Sequence, residues 1–197
     1  MNENEWIEHA EIIQEKGTNR SRFFRGQIDK YTWVDLGSSY LLSEISAAFL
    51  WAQLEKVDEI TTRRLEIWNR YNDALAELEA ASLVRRPIVP EDCIHNAHMY
   101  YVLLPNIEIR TRVISQLAER GVHSVFHYVP LHSSESGRRL GRAHGRLPIT
   151  DDMSNRLLRL PLWPDLKDAE VDYVIASFED VVRKSSRNAL VVGRKQA

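Results

Sequence analysis

The feature that most constrains the fold is a stripe of apolar residues that runs through segment 43–80. Apolar side chains recur there mostly at steps of three and four residues, from Ala47 to Leu78. This spacing places them on one face of an α-helix. Neither proline nor glycine interrupts the segment. It therefore predicts one long helix, or two helices joined by a bend, with Ser43 as the N-cap.

Shorter patterns surround this segment and predict a mixture of helices and strands. A helix over 6–16 precedes an aromatic-rich loop over 17–41. After the long helix the patterns predict strands 83–88, 98–104 and 122–129, helices 108–120, 151–159 and 168–183, and an Arg-rich loop over 133–149. The sum is an α+β unit with a small, mostly antiparallel sheet.

Composition and charge exclude several classes of function. The chain has 197 residues, a formal net charge of −2 and 44% hydrophobic residues, as is usual for a globular domain. There is no net positive charge to suggest a nucleic-acid partner. No stretch approaches the roughly 20 apolar residues of a membrane span. The single cysteine, Cys93, and an N-terminus without a signal-peptide pattern predict a cytoplasmic protein.

Histidines are concentrated in one part of the chain. Within fifty residues, near Cys93, lie His95, His98, His123, His127, His132 and His144. Imidazole and thiolate groups bind zinc, so a small metal module is one interpretation. The spacing contains no paired Cys motif and no His-Glu-x-x-His. The other interpretation is a set of hydrogen-bonding histidines that line a polar cleft.

The run HYVPLH, residues 127–132, ends a predicted strand. Pro130 removes a backbone donor and stops the strand. Because sites are usually built on strand ends and the loops after them, His132 is a candidate site residue.

The aromatic-rich loop 17–41 is a second candidate. It carries Arg20, Arg22 and Arg25, with two phenylalanines between the last two of these arginines. Guanidinium groups match phosphate oxygens, and aromatic rings stack on bases, so the loop has the groups that a nucleotide diphosphate requires. A solvated charged loop remains the alternative.

Several runs resemble one enzyme family. AEIIQEKGTNRSRFFRGQIDKYTWVDLGSSYLLSEISAAFLWAQLE (10–55), NAHMYYVLL (96–104), HYVPLH (127–132) and RLLRLPLWPDL (156–166) are similar, in this order, to the DegT/DnrJ/EryC1/StrS family of pyridoxal-phosphate (PLP) sugar aminotransferases. The resemblance spans residues 8 to about 182.

The resemblance implies a C-terminal small domain of a fold-type-I (α/β) PLP-dependent transferase. It implies that segment 1–42 ends the large domain, 43–80 is a connecting helix, 81–185 is the small domain and 186–197 is a flexible tail. The implied reaction transfers an amino group from glutamate to the 4-keto group of a dTDP-4-keto-6-deoxy sugar, with PLP as the electron sink, in a homodimer.

Site residues carried over from the family are limited. In the family the Schiff-base lysine precedes the segment that matches residue 8, so the resemblance implies no catalytic lysine here and no activity for this chain alone. Ser39 stands where the family often has an asparagine that contacts the PLP phosphate, and Leu41 where it has an arginine. The implied substrate-binding residues are Arg25, Tyr31, Trp33, Tyr128 and His132. A non-catalytic interaction or oligomerisation fragment is the alternative, because the long helix and the aromatic loop pack on the large domain in the family.

Overall fold

A computed structural model of the chain describes residues 5–193. These residues form two compact units, divided between Val57 and Asp58. The helices are α1 Glu5–Gln14, α2 Arg20–Phe24, α3 Glu44–Leu54, α4 Val57–Ala74, α5 Ala76–Ala80, α6 Ile107–Ala118, α7 Glu135–Leu140, α8 Pro148–Arg156 and α9 Asp168–Gly193. The strands are β1 Tyr100–Leu103, β2 Val125–Phe126 and β3 Leu157–Leu160, and a 3-10 turn covers Leu131–Ser133.

The predicted long helix is divided by a turn at residues 55–56, and α4 is followed by the short α5. Helix α3 begins where the sequence predicts, because Ser43 Oγ accepts the backbone N–H of Ser46 at 3.3 Å. The boundary between the two units falls inside the segment 43–80. The division into 1–42, 43–80 and 81–185 remains a prediction.

A three-stranded antiparallel sheet organises the second unit, in the order β1-β3-β2. In the register, Val102 lies opposite Leu158, and Phe126 pairs with Leu158 from the other side. Both Val102 and Leu158 are completely buried, whereas Val125 and Phe126 of β2 are about half exposed. The small, mostly antiparallel sheet of the predicted α+β unit is therefore confirmed.

Helices that precede and follow β1 in the chain pack against the sheet and form the core with it. Helix α4 buries Trp68 and Tyr71, whose rings lie 5.4 Å and 5.3 Å from the ring of Tyr100 in β1. The predicted face of α6 is buried through Val113 and Leu117. The core also includes Ile67, Leu75, Leu78, Leu158, Leu160, Val171, Phe178, Val181 and Val182.

Five expectations about secondary structure were wrong in extent. The predicted loop 17–41 contains α2. The predicted strand 83–88 is a single bridge between Arg85 and Leu103. The predicted strand 122–129 contains only β2, and the predicted loop 133–149 contains α7. The predicted helix 151–159 ends at Arg156, because the next four residues pair with β1 as β3.

The last helix also differs from its predicted bounds. It runs from Asp168 to Gly193, ten residues beyond the predicted end. The predicted flexible tail 186–197 therefore begins within helical backbone, and its last four residues lie outside the described part of the chain.

Candidate functional site

The segment after β2 folds into a tight turn followed by α7. Ser134 is the N-cap of α7, and its Oγ accepts the N–H of Gly137 at 3.0 Å. A Cβ at Gly137 would lie 1.6 Å from the carbonyl oxygen of Leu131. Only glycine allows this approach. The first turn of α7 therefore packs directly on the backbone of the HYVPLH segment.

His132 is held by a carboxylate from helix α8. Its Nε2 lies 2.9 Å from Oδ1 of Asp151, in the first turn of α8. A carboxylate only accepts hydrogen bonds, so this pairing assigns the proton to Nε2 when the ring is neutral. The His132 side chain is only 17% exposed. The ring is thus fixed, and its Nδ1 has no hydrogen bond to the described residues.

Two cavities lie beside this pair. The larger, of about 1020 Å³, is lined by His132 and by residues of α7 and the loop after it. It includes the polar side chains of Arg138, Arg142 and His144. The smaller, of about 280 Å³, is lined by Asp151, Arg110, Phe126 and His127, among others. The hydrogen-bonded pair therefore joins the walls of both cavities.

The smaller cavity contains a partly desolvated cation. Burial lowers the pKa of Arg110. Its guanidinium lies 5.5 Å from the centroid of the Phe126 ring, and its Nε donates to the carbonyl of Asn155 at 3.0 Å. The buried Nδ1 of His127 has no hydrogen-bond partner among the described residues. Arg110 is therefore the group of this cavity that can bind polar ligand atoms.

Tyr128 lies on the same segment as His132, as the sequence indicates. Its ring packs edge-on against His127 at 5.1 Å, and its carbonyl oxygen accepts the hydroxyl of Ser154 at 3.2 Å. It lines a third cavity, of about 500 Å³, with Leu131 and neighbouring residues. The side chain is 78% exposed. The structure therefore brings Tyr128 and His132 together, on adjoining cavities.

The remaining predicted site residues belong to the first unit. Trp33 and Ser39 lie on a segment that pairs antiparallel with residues 15–18. The Nε1 of Trp33 donates to the carbonyl of Lys16 at 2.7 Å. A Cβ at Gly17 would lie 1.8 Å from the carbonyl oxygen of Asp35, so the pairing depends on glycine. Trp33 is fixed through its indole, and Ser39 only through its backbone.

Arg25 and Tyr31 have partners inside the first unit. The guanidinium of Arg25 donates two hydrogen bonds to the carboxylate of Glu11, one of them at 3.0 Å. The hydrogen bond from Arg25 lowers the pKa of Glu11. The ring of Tyr31 packs edge-on against Phe23 at 5.7 Å. A phosphate ligand at Arg25 would have to compete with Glu11. The substrate roles of both residues remain predictions.

Sequence reasoning missed Asp151, Arg138 and Arg142. The sequence predicts only that a helix begins at Asp151, because the contact of this residue with His132 spans 19 residues. Both arginines lie in the predicted loop 133–149. Their spacing of four residues, which is the repeat of a helical face, was the available signal.

The chain does not present a complete PLP site in its described part. A Schiff base needs a lysine amine in the cofactor pocket. None of the cavities described above is lined by a lysine. Lys184 is paired with Asp180 at 2.7 Å. The hydroxyl of Ser39 has no hydrogen bond to the described residues, and it remains the predicted phosphate contact. One hydroxyl does not form a site for the cofactor.

The zinc interpretation gains no geometric support. Between residues 5 and 193, no group of three or more His, Cys, Asp or Glu side chains is arranged to hold a metal ion. Cys93 is exposed and carries a free thiol. In the same residues, no helix has both the length and the apolar character needed to cross a membrane.

Comparison with known proteins decides the family. The sequence profile of the DegT/DnrJ/EryC1/StrS aminotransferase family matches residues 1–179. The chain belongs to this family. It is 34% identical over 148 residues to the dTDP-4-dehydro-2,3,6-trideoxy-D-glucose 4-aminotransferase of Saccharopolyspora spinosa. That match covers 75% of this chain and 37% of the relative.

Solved structures confirm the fold. A Streptococcus pneumoniae protein assigned as a sugar aminotransferase superposes with a TM-score of 0.79 at 24% identity, over 96% of this chain and 46% of that one. A structure of the same protein is described as its PLP-form. The Brucella abortus family member has a TM-score of 0.71 at 26% identity, over 91% and 44%. The chain spans less than half the length of these relatives.

Proposed function

We propose that this chain is the C-terminal, substrate-binding part of a PLP-dependent sugar-nucleotide aminotransferase. The observation that carries the proposal is family membership over residues 1–179, together with 34% identity to a dTDP-sugar 4-aminotransferase. The reaction would move an amino group from glutamate to the 4-keto group of a dTDP-4-keto-6-deoxy sugar. The product would be dTDP-4-amino-4,6-dideoxygalactose, for surface polysaccharides such as enterobacterial common antigen.

The chain's own residues would bind and orient this substrate. PLP, when bound to the whole enzyme, supplies the electron sink for amino transfer. His132, fixed by Asp151, offers Nδ1 to a hydroxyl or amino group of the sugar. Tyr128 is exposed next to it and offers a ring face and a hydroxyl. We assign no proton-transfer step to these groups.

We further propose that the chain alone does not catalyse amino transfer. The cavities described in its second unit are not lined by a lysine, so another polypeptide segment must supply the lysine that forms the Schiff base with PLP. The whole enzyme would be a cytoplasmic homodimer, where the exposed Cys93 stays reduced.

Two measurements on the purified chain test this proposal. The first is calorimetric titration with dTDP-4-keto-6-deoxyglucose, for which we expect saturable binding. The second is incubation with PLP, glutamate and the same sugar, followed by mass spectrometry, for which we expect no amino sugar. Absence of binding would overturn the substrate assignment. Formation of product, or a borohydride-stable PLP adduct on one lysine, would overturn the claim that the lysine lies elsewhere.

A specific observation in the first unit favours a second role, in association. Eight of the eleven residues of α3 are apolar, and none is buried. Ile45 is 85% exposed, Phe49 71% and Trp51 66%. A helix that is apolar on all sides is normally buried against other protein. We propose that α3 drives self-association of the chain. Light scattering of the parent chain should give a mass larger than the 22.9 kDa of one chain. The double variant Phe49→Ser, Trp51→Ser should be a monomer. A monomeric parent chain would refute this role.

A further inference from the structure

The cavity beside His132 is lined by two arginine side chains from a positively charged segment. Residues 131–150 contain four arginines and one glutamate, a net charge of +3 with neutral histidines, whereas the whole chain has a net charge of −2. Arg138 and Arg142 both line the cavity, together with His144. Two of these four arginines therefore line one space.

These two arginines have no acidic partner among the described residues. Arg138 makes one long hydrogen bond, 3.5 Å from its Nε to the carbonyl oxygen of Ser134. Many arginines elsewhere in the second unit lie within 4.0 Å of a carboxylate, namely Arg63, Arg70, Arg86, Arg120 and Arg156. Asp151, near the cavity, is already hydrogen-bonded to His132. The guanidinium forks at the cavity thus remain available for an anion.

The rest of the cavity suits a larger ligand than a lone phosphate ion. Its volume of about 1020 Å³ is at the upper end of ordinary ligand pockets. Leucines 131, 140 and 147 supply apolar surface. Apolar walls with a few polar groups are typical of sites that bind an organic ligand.

We infer that Arg138 and Arg142 bind the diphosphate of a nucleotide sugar in this cavity, with the nucleoside against the leucines. Planar guanidinium forks bind phosphate oxygens through two parallel hydrogen bonds, which a lysine does not reproduce. Helix α7 positions Arg138, and Arg142 follows four residues later, just beyond the end of the helix. The identity of the ligand rests on the proposed function. Anion binding itself requires neither PLP nor amino transfer.

The test is calorimetric titration of the full chain with dTDP, dTMP, thymidine and inorganic pyrophosphate. The variants are Arg138→Ala and Arg142→Ala, and Arg138→Lys retains the charge without the fork. The matched control is Arg139→Ala, which removes the same charge from α7 at a position that does not line the cavity. Circular dichroism of each variant establishes that it is folded.

We expect dTDP to bind more tightly than dTMP, and thymidine to bind weakest. Each cavity variant should weaken dTDP binding about tenfold or more, as the loss of a charged hydrogen bond implies. Arg138→Lys should recover only part of the loss, Arg139→Ala should stay within about twofold, and added salt should weaken binding. Equal losses in Arg138→Ala and Arg139→Ala would overturn the inference, as would binding of pyrophosphate without dTDP. If dTDP binds as expected but no dTDP-sugar specificity is found, only the proposed function fails.

Discussion

Replacement of Gly137 by alanine tests whether the cavity depends on the close packing of α7. The added Cβ would lie 1.6 Å from the carbonyl oxygen of Leu131 and 2.8 Å from Oγ of Ser134. Both neighbours belong to the turn that leads into the helix. Because the nearest atom is backbone, a side-chain rotation cannot relieve the clash. Helix α7 or the turn must move.

The size of the movement follows from the geometry. Ordinary van der Waals contact begins at 3.4 Å, so the carbonyl of Leu131 and the new methyl group must separate by about 1.8 Å. Overpacking of this kind typically costs about 1–3 kcal/mol. For a chain of this size that lowers Tm by roughly 2–12 °C. A shift of this size also moves Arg138 beyond hydrogen-bond distance of a phosphate held at its original position.

Thermal denaturation and dTDP titration of Gly137→Ala measure the two effects together. We expect a lower Tm and dTDP binding weakened about tenfold. Arg139→Ala, on the same short helix, should change neither by much. If Gly137→Ala keeps both the Tm and the affinity of the parent chain, α7 does not pack on Leu131 as described, and the cavity geometry is wrong.

Three further predictions concern single contacts. Asp151→Ala should weaken dTDP-sugar binding several-fold in titration calorimetry, because it releases the His132 ring. Asp152→Ala should leave binding unchanged, and equal effects of the two variants would contradict the orienting role of Asp151. Tyr71→Phe should lower the free energy of unfolding, measured by urea denaturation, by about 1 kcal/mol, because the Tyr71 hydroxyl donates to a backbone carbonyl at 2.8 Å. Tyr100→Phe should be neutral or stabilising, because the buried hydroxyl of Tyr100 has no partner in the described structure. Burial raises the pKa of both tyrosines, so these phenols stay protonated in the fold while the unfolded chain loses their protons above about pH 10. The free energy of unfolding should therefore fall as pH rises past that value, less steeply in the double Phe variant, and an equal slope would refute this linkage.

Local periodicity predicted much of the helical architecture. The faces of α6 and α9 were identified from apolar spacing, and Val113, Leu117 and Phe178 are completely buried as expected. Strand β3 was missed because Leu157–Leu160 continues the apolar pattern of α8. Its strand conformation comes from pairing with β1, more than fifty residues earlier in the chain. Tertiary pairing of this kind overrides local propensity.

The candidate site was predictable only where it is local in sequence. His132 was identified because it follows a strand end. Its partner Asp151 could not be identified, since their contact depends on how α8 packs. Arg25 shows the converse case. Its type suits a phosphate, but in the fold it meets Glu11, fourteen residues earlier. Residue type alone does not reveal whether a charge is already partnered.

The most direct test of the central claim is amide NMR of the labelled chain during titration with dTDP-4-keto-6-deoxyglucose. If the second unit carries the sugar-nucleotide site, shifts should concentrate in residues 127–151 and saturate. Shifts confined to a separate cavity lined by Trp163 and Tyr173, or no saturable shifts at all, would contradict the claim that this chain supplies the substrate-binding part of the enzyme.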